Sequence, residues 1–179
     1  MNFDTLKAKL PEHAKDIKLN LERVLSPEGA PDLSAEQIYG IALASAYATR
    51  QSELILLMVD ALKESVPPTI LIAAETATII MAMNNIYYRF THLASDKSYL
   101  SMPVNLRMNA IANSGVKQID FELYSLAISA INGCGLCIDA HVRKLEQEGI
   151  SKLGIQSSIR IAAVINAAAM ALSLKQAHA

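Results

Sequence analysis

The sequence contains no tryptophan, and aromatic side chains make up only 5% of its 179 residues. Because 52% of the residues are nevertheless hydrophobic, the apolar mass is aliphatic, a composition that favours helices over strands. Neither sign of charge dominates, since 16 basic residues stand against 17 acidic ones and the net charge is −1. Such a chain has no extended field to attract a nucleic-acid backbone or an anionic membrane, so neither is expected as a partner.

Long uninterrupted apolar runs are also missing. The first residues alternate charged and apolar side chains at helical spacing, unlike a secretory signal peptide, and a cytoplasmic location is therefore expected. The two most apolar segments, residues 70–83 and 159–174, are too short or, at Glu75 and Asn166, too interrupted to cross about 30 Å of hydrocarbon. We predict that they are buried core helices of a single all-α domain covering residues 1–179.

Helical periodicity extends through most of the chain. Residues 33–62 show the three- and four-residue spacing of helical faces, with a break near residues 49–52. Ser34 and Gln37, just ahead of its apolar run, have the spacing of a capping box. A long Ala- and Ile-rich helix is predicted over residues 69–88, after two prolines that separate it from the preceding helix.

Comparison of the chain with itself at an offset of 85 indicates a weak internal duplication. Residues 36–43 align with residues 121–128, which predicts two helical halves at about residues 33–88 and 118–173. At this offset the cysteine segment aligns with residues 49–52, where hydroxyl groups replace both thiols. The alternative is that Ala-rich amphipathic helices resemble one another by composition alone.

Both cysteines of the chain lie in one Cys-x-x-Cys motif, at Cys134 and Cys137. In a cytoplasmic chain this spacing indicates redox or metal chemistry before a structural bridge, because closing so short a loop restricts the unfolded chain little. Zinc would need four ligands, and apart from His141 no further ligand stands at the right spacing. Covalent haem attachment would need a histidine directly after the second cysteine, where the chain has Ile138.

The residues around the motif predict how it is placed and activated. Asn132 and Gly133 interrupt the helical pattern, so both cysteines should occupy the first turn of a new helix, where free N–H groups favour the thiolate. His141 lies four residues after the second cysteine, on the same helix face, within reach for proton exchange. Glu122 has apolar neighbours and can reach His141 only if the chain folds back at the break. The alternatives are a solvated glutamate and an ordinary surface histidine.

Three segments form a pattern that extends beyond the cysteines. They are LPEHAKDIKLN at residues 10–20, MAMNNIYY at residues 81–88, and the stretch from LRMNAIAN at residue 106 to FELYSLAISAINGCGLCIDAH ending at residue 141. Together they resemble the alkylhydroperoxidase D (AhpD) family of the carboxymuconolactone decarboxylase-like superfamily, over nearly the whole chain. The resemblance implies an AhpD-like all-α helical fold that assembles as a homotrimer.

The same resemblance implies an antioxidant thiol–disulfide oxidoreductase, specifically a lipoyl-dependent alkyl hydroperoxide reductase. Its dithiol would reduce the disulfide of a two-cysteine peroxiredoxin and, weakly, organic hydroperoxides. Its own disulfide would be reduced by dihydrolipoamide on a lipoyl-bearing dihydrolipoamide acyltransferase, which dihydrolipoamide dehydrogenase recharges from NADH. No tightly bound cofactor and no metal are expected.

Residue roles also follow from the resemblance. It assigns Cys137 as the nucleophile that becomes a sulfenic acid, Cys134 as proton donor and resolving thiol, and Glu122 with His141 as the proton relay. The residues alone leave this choice open, because the helix start favours Cys134 and closeness to His141 favours Cys137. Leu136 departs from the pattern of some members, which have a histidine there, and we expect direct peroxidase activity to suffer.

Two other functions compete with this one. A structural or binding protein of the same superfamily could use the dithiol only to sense redox state, without turnover. A lactone decarboxylase like the superfamily's founding members would leave both cysteines unexplained.

Overall fold

The computed structural model describes residues 3–177, and in this range the chain forms α-helices and short 3₁₀ helices without strands. The predicted all-α fold class is confirmed. The α-helices are α1 (Asp4–Lys9), α2 (Lys15–Val24), α3 (Ala35–Thr49), α4 (Ser52–Leu62), α5 (Pro68–Leu93), α6 (Gln118–Ile131), α7 (Gly135–Gln147) and α8 (Lys152–Gln176). The 3₁₀ helices are Glu12–Ala14, Lys97–Leu100 and Asn109–Ile111.

The core lies where α3, α5, α6 and α8 pack against one another. Aliphatic side chains fill it, and burying each Leu or Ile contributes about 1.5–3 kcal/mol. Two of these helices approach closely at Gly40 of α3, since a Cβ added there would lie 2.2 Å from the Tyr124 hydroxyl oxygen of α6. The glycine thus allows the buried Tyr124 ring to lie against the α3 backbone.

The predicted helix boundaries around residues 33–62 are confirmed. Ser34 and Gln37 form a capping box, in which Gln37 N donates to Ser34 Oγ at 3.2 Å and Ser34 N donates to Gln37 Oε1 at 2.9 Å. The break between α3 and α4 occurs at Arg50, which has a left-handed φ of 60°. Gln51 then caps α4, its Oε1 accepting a hydrogen bond from Leu54 N at 2.6 Å.

The two apolar segments lie in helices that are longer than the predicted stretches, so their length alone does not rule out crossing a membrane. α5 has 26 residues and α8 has 25, and both are long and apolar enough to span one by length and composition. Their inner faces pack on α3 and α6, as expected of core helices. However, only 39% and 44% of their most apolar windows are buried in the fold, so each also has an exposed face.

The helices α3 to α5 and α6 to α8 follow the same order, with lengths of 15, 11 and 26 residues and then 14, 13 and 25. Corresponding helices start 83, 83 and 84 residues apart, rather than the 85 of the sequence alignment. Counted from the helix starts, Gln51, which caps α4, corresponds to Cys134, which caps α7, whereas the sequence alignment put Thr49 there. A duplication in the chain's history stays a prediction.

Candidate active site

The turn between α6 and α7 places both cysteines. Gly133 has a φ of +68°, a left-handed conformation that glycine adopts without strain. Cys134 follows as the N-cap of α7, with its N–H donating to the Ser129 carbonyl at 3.0 Å. Its Sγ accepts a hydrogen bond from Cys137 N at 3.3 Å, so both cysteines occupy the first turn of a new helix, as the sequence predicted.

The two sulfurs form a disulfide but differ in what can reach them. Cys134 is 0% exposed, whereas Cys137 is 6% exposed and lines a cavity of about 310 Å³. We call this space the Cys137 cavity; its walls are mainly apolar, formed by Met81, Met108, Ile111, Phe121 and Leu136. A small molecule entering it meets Cys137, because Cys134 is not part of the lining.

Glu122 and His141 line the same cavity as a hydrogen-bonded pair. His141 Nδ1 lies 2.7 Å from Glu122 Oε2, and Gln118 Nε2 donates to Glu122 Oε1 at 2.9 Å. Burial by itself raises the pKa of the Glu122 carboxyl, but the hydrogen bonds from His141 and Gln118 outweigh it and hold this pKa below its usual value. Glu122 is therefore ionised at neutral pH and fixes the orientation of the imidazole ring.

This pairing depends on the chain folding back at Asn132 and Gly133, as the sequence analysis expected. Glu122 lies twelve residues before Cys134 on α6, and the turn brings α7 alongside α6. His141 then points from α7 toward the carboxylate, with both side chains largely buried. The solvated glutamate and the ordinary surface histidine are thus not what the structure contains.

A buried hydrogen-bond network from α5 holds the turn ahead of Cys134. Asn85 Nδ2 donates to Ser129 Oγ at 2.9 Å, and Asn132 Nδ2 donates to Asn85 Oδ1 at 3.0 Å. Arg89 Nη1 donates to the Asn132 carbonyl at 2.7 Å. Asn85 and Ser129 are 1% and 0% exposed, so breaking this network would leave buried polar groups without partners, which is costly.

Sequence reasoning identified the two cysteines and the pair Glu122 and His141, but it missed the cavity's other polar residues. Asn84 and Ser125 line the cavity, and Gln118 supports the carboxylate. One indication was available, since two adjacent asparagines in the otherwise apolar α5 are costly to bury without a purpose.

The donors at this site suit electron and proton transfer. In the described part of the chain, no group of three or more His, Cys, Asp or Glu side chains is placed to hold a metal ion. A disulfide in the first turn of a helix, beside a carboxylate that orients an imidazole, is an arrangement for thiol–disulfide exchange.

Comparisons with known proteins agree with this chemistry. The model of the carboxymuconolactone decarboxylase family matches residues 98–179. A Coxiella burnetii protein named alkyl hydroperoxide reductase AhpD is 56% identical over 164 residues, covering 92% of this chain and 93% of that protein. Proteins of the same name from Rhodopseudomonas palustris and Brucella abortus are 48% and 47% identical over 172 residues, 96% of this chain and 93% and 97% of theirs.

The all-helical fold has a disulfide at a helix start and a buried Glu and His pair on the same cavity, within the region that matches the carboxymuconolactone decarboxylase family model, and this defines the class as that superfamily. Similarity to the relatives along almost their full length narrows the class further. The chain belongs to the AhpD family, and the family predicted from its motifs is confirmed.

Proposed function

We propose that the protein is an alkyl hydroperoxide reductase that uses the Cys134 and Cys137 dithiol to reduce organic hydroperoxides and the disulfide of a two-cysteine peroxiredoxin. The names of its near-full-length relatives support this activity. The observation that supports it most directly is the cavity itself. Cys137, His141 and Glu122 face one mainly apolar space that is open to a small substrate.

In the oxidative half-reaction, the Cys137 thiolate attacks the distal oxygen of the hydroperoxide. The O–O bond breaks and Cys137 becomes a sulfenic acid. The alkoxide leaves as an alcohol after taking from His141 the proton that the imidazole had accepted from the Cys137 thiol. The Cys134 thiol then attacks the sulfenic sulfur, which releases water and forms the disulfide. With Nδ1 held by Glu122, His141 has Nε2 for this proton exchange, the oriented imidazole of a proton relay.

Access to Cys137 and the N-cap position of Cys134 matter in different half-reactions. Access through the cavity favours Cys137 as the sulfur that meets the oxidant. The N-cap position favours Cys134 as the leaving thiolate when a reductant attacks Cys137, because Cys137 N–H already donates to the Cys134 sulfur. Cys137 is thus the nucleophile and Cys134 the resolving thiol.

For the reductive half-reaction we propose dihydrolipoamide, carried on a dihydrolipoamide acyltransferase and recharged from NADH by dihydrolipoamide dehydrogenase. One of its thiolates attacks Cys137 and forms a mixed disulfide, and Cys134 leaves. The second thiol closes the dithiolane ring and releases Cys137 as a thiolate. A slender aliphatic dithiol suits the mainly apolar lining of the cavity. The reductant is a substrate, and no tightly bound cofactor takes part.

We also propose that the protein works in the cytoplasm as a homotrimer. An exposed apolar stripe follows α5, defined by Ile72, Ile79, Ile86, Phe90 and Leu93, which are 51% to 70% exposed. Their spacing of seven, seven, four and three residues puts them on one side of the helix over about 32 Å. A stripe of this kind favours burial between copies of the chain.

Ile79→Glu should lower the mass of the protein in solution, measured by sedimentation. A variant that keeps the wild-type mass would exclude this interface.

The activity is tested by coupling the purified protein to lipoamide, dihydrolipoamide dehydrogenase, NADH and a hydroperoxide, with and without a peroxiredoxin. We expect NADH oxidation that depends on the protein in both mixtures and is faster with the peroxiredoxin. A redox sensor would form its disulfide reversibly without sustained NADH oxidation. Absence of NADH consumption in both mixtures would reject the enzyme.

A further inference from the structure

Two residues that line the Cys137 cavity, Asn84 and Ser125, each have a buried polar atom with no role in the disulfide or the Glu122–His141 pair. Asn84 of α5 is 5% exposed and Ser125 of α6 is 0% exposed, and both line the cavity. Within residues 3–177, neither Asn84 Oδ1 nor Ser125 Oγ has a hydrogen-bond partner. Buried polar groups are normally paired, because leaving one unpaired costs stability, so two such atoms on side chains that line one cavity indicate a ligand.

The chemistry of the two groups selects among the cavity's substrates. The amide oxygen of Asn84 accepts a hydrogen bond, and the hydroxyl of Ser125 can both donate and accept. A hydroperoxide has a terminal O–H that donates and two oxygens that accept, so it can pair with both. Thiols and disulfides are weak partners in hydrogen bonds and gain little here. The pair therefore matches the oxidant and not the dithiol reductant.

We propose that Asn84 and Ser125 bind the O–O–H group of an organic hydroperoxide and aim its distal oxygen at the Cys137 sulfur. Asn84 accepts the peroxide O–H, and Ser125 donates to the proximal oxygen, on which negative charge develops as the O–O bond breaks. The apolar walls hold the organic group. This inference rests on the proposed function, since it needs Cys137 as the attacking thiolate, and it predicts that the two residues serve the oxidative half-reaction alone.

The chain offers a matched control in Ser45. Like Ser125 it is 0% exposed and its hydroxyl has no partner among the described residues, but it lies on α3 and does not line the cavity. Ser125→Ala and Ser45→Ala therefore remove the same buried group, inside and outside the cavity. Asn84→Leu removes the amide at nearly the same size and provides a second, independent variant.

Each variant is measured in two single-turnover reactions. Reduced protein is mixed with cumene hydroperoxide and the rate of disulfide formation is followed, and oxidised protein is mixed with dihydrolipoamide and the rate of dithiol formation is followed. We expect Ser125→Ala and Asn84→Leu to slow the first reaction on the order of tenfold, the effect of about one hydrogen bond, and the second by less than about twofold. Ser45→Ala should match wild type in both.

Thermal unfolding separates binding from a structural role. Removing an unpartnered buried polar group should leave the unfolding temperature of Ser125→Ala and Asn84→Leu equal to or above that of wild type, while oxidation slows. A lowered unfolding temperature with equal slowing of both half-reactions would overturn the proposal, as would oxidation rates like those of Ser45→Ala. If wild type is not oxidised by any hydroperoxide yet exchanges with dihydrolipoamide, the proposed peroxidase function fails as well, an outcome distinct from the previous two.

Discussion

The starts of α4 and α7 have the same turn and the same kind of cap, and they differ in the atom that accepts the capping hydrogen bond. In each, a residue with left-handed φ, Arg50 or Gly133, is followed by a capping side chain that accepts from an N–H of the helix's first turn. At α4 the acceptor is the Gln51 oxygen at 2.6 Å, and at α7 it is the Cys134 sulfur at 3.3 Å. The turn and the cap are thus structural features that both helix starts share, and the cysteines and their neighbours supply the chemistry at α7 alone.

The residues around the two turns also differ, with charged or polar side chains near α7 and packing side chains at the corresponding positions near α4. Counted by the 83-residue spacing of the helix starts, Glu122 corresponds to Tyr39, and His141 to Met58, which is fully buried in the core. The positions of Glu122 and His141 in one half are thus packing positions in the other. The polar pair Asn84 and Asn85 of α5 likewise corresponds, at the 84-residue spacing of α5 and α8, to two buried alanines, Ala168 and Ala169.

The largest expected effect on turnover comes from replacing the cysteines, whereas replacing the Gln51 cap should have none. Cys137→Ser and Cys134→Ser should each lower turnover in the lipoamide-coupled assay by a thousandfold or more, on the order seen when a nucleophile is removed. Gln51→Ala, at the corresponding cap, should keep wild-type turnover. Equal turnover in the cysteine variants and wild type would show that the dithiol is not the working centre.

The relay gives the next largest effect. Glu122→Gln keeps the size of the side chain but removes the charge that orients His141, and should lower turnover by about a hundredfold, as expected for loss of general acid–base catalysis. The control is Tyr39→Phe at the corresponding position of the other half, where turnover should not change. Unchanged alkylation rates of the reduced cysteines against pH in Glu122→Gln would remove this pair from the mechanism.

The Glu122 carboxylate should also affect how the free energy of unfolding depends on pH. The pKa of Glu122 lies below its usual value of 4.5 in the folded protein, because its hydrogen bonds with His141 and Gln118 outweigh burial. Its stabilising contribution is therefore present above about pH 4.5 and is lost as the pH falls through the lower, folded-state pKa. Urea unfolding of wild type and Glu122→Gln should converge at acidic pH. A difference that stays constant down to pH values well below 4.5 would contradict the assigned direction.

The smallest effect concerns the cap without redox chemistry. Gln51→Ala removes the side chain that accepts from Leu54 N and should lower the free energy of unfolding by about 1 kcal/mol, measured by denaturant unfolding. An unchanged free energy of unfolding would mean that the Gln51 cap does not share the structural role of the Cys134 cap.

Local features of the sequence were enough to predict the redox turn. The glycine at Gly133, the interrupted periodicity and the paired cysteines all act within a few residues, and so does the capping box at Ser34. Glu122 and His141 were found because one fold-back at a recognisable break brings their two helices together. The family resemblance added their roles, which the geometry by itself does not assign.

What the sequence did not reveal depends on packing between distant segments. Asn84 and Ser125 became site residues only when α5 and α6 met around the cavity, and no local pattern marks such a space. The helix predicted over residues 69–88 ends five residues later, at Leu93. The apolar outer face of α5 continues beyond the stretch that periodicity assigned to the core. The spacing of the helix starts pairs Cys134 with Gln51, whereas the 85-residue offset pairs it with Thr49, because helix caps are aligned by structure and not by composition.

The central claim is that oxidants reach the chain through Cys137. It is tested most directly by treating reduced Cys134→Ser and Cys137→Ser proteins with one equivalent of cumene hydroperoxide in the presence of dimedone, a trap for sulfenic acids, and locating the adduct by mass spectrometry. The cavity predicts an adduct on Cys137 in the first variant and none on Cys134 in the second. An adduct on Cys134 with Cys137 unmodified would contradict it.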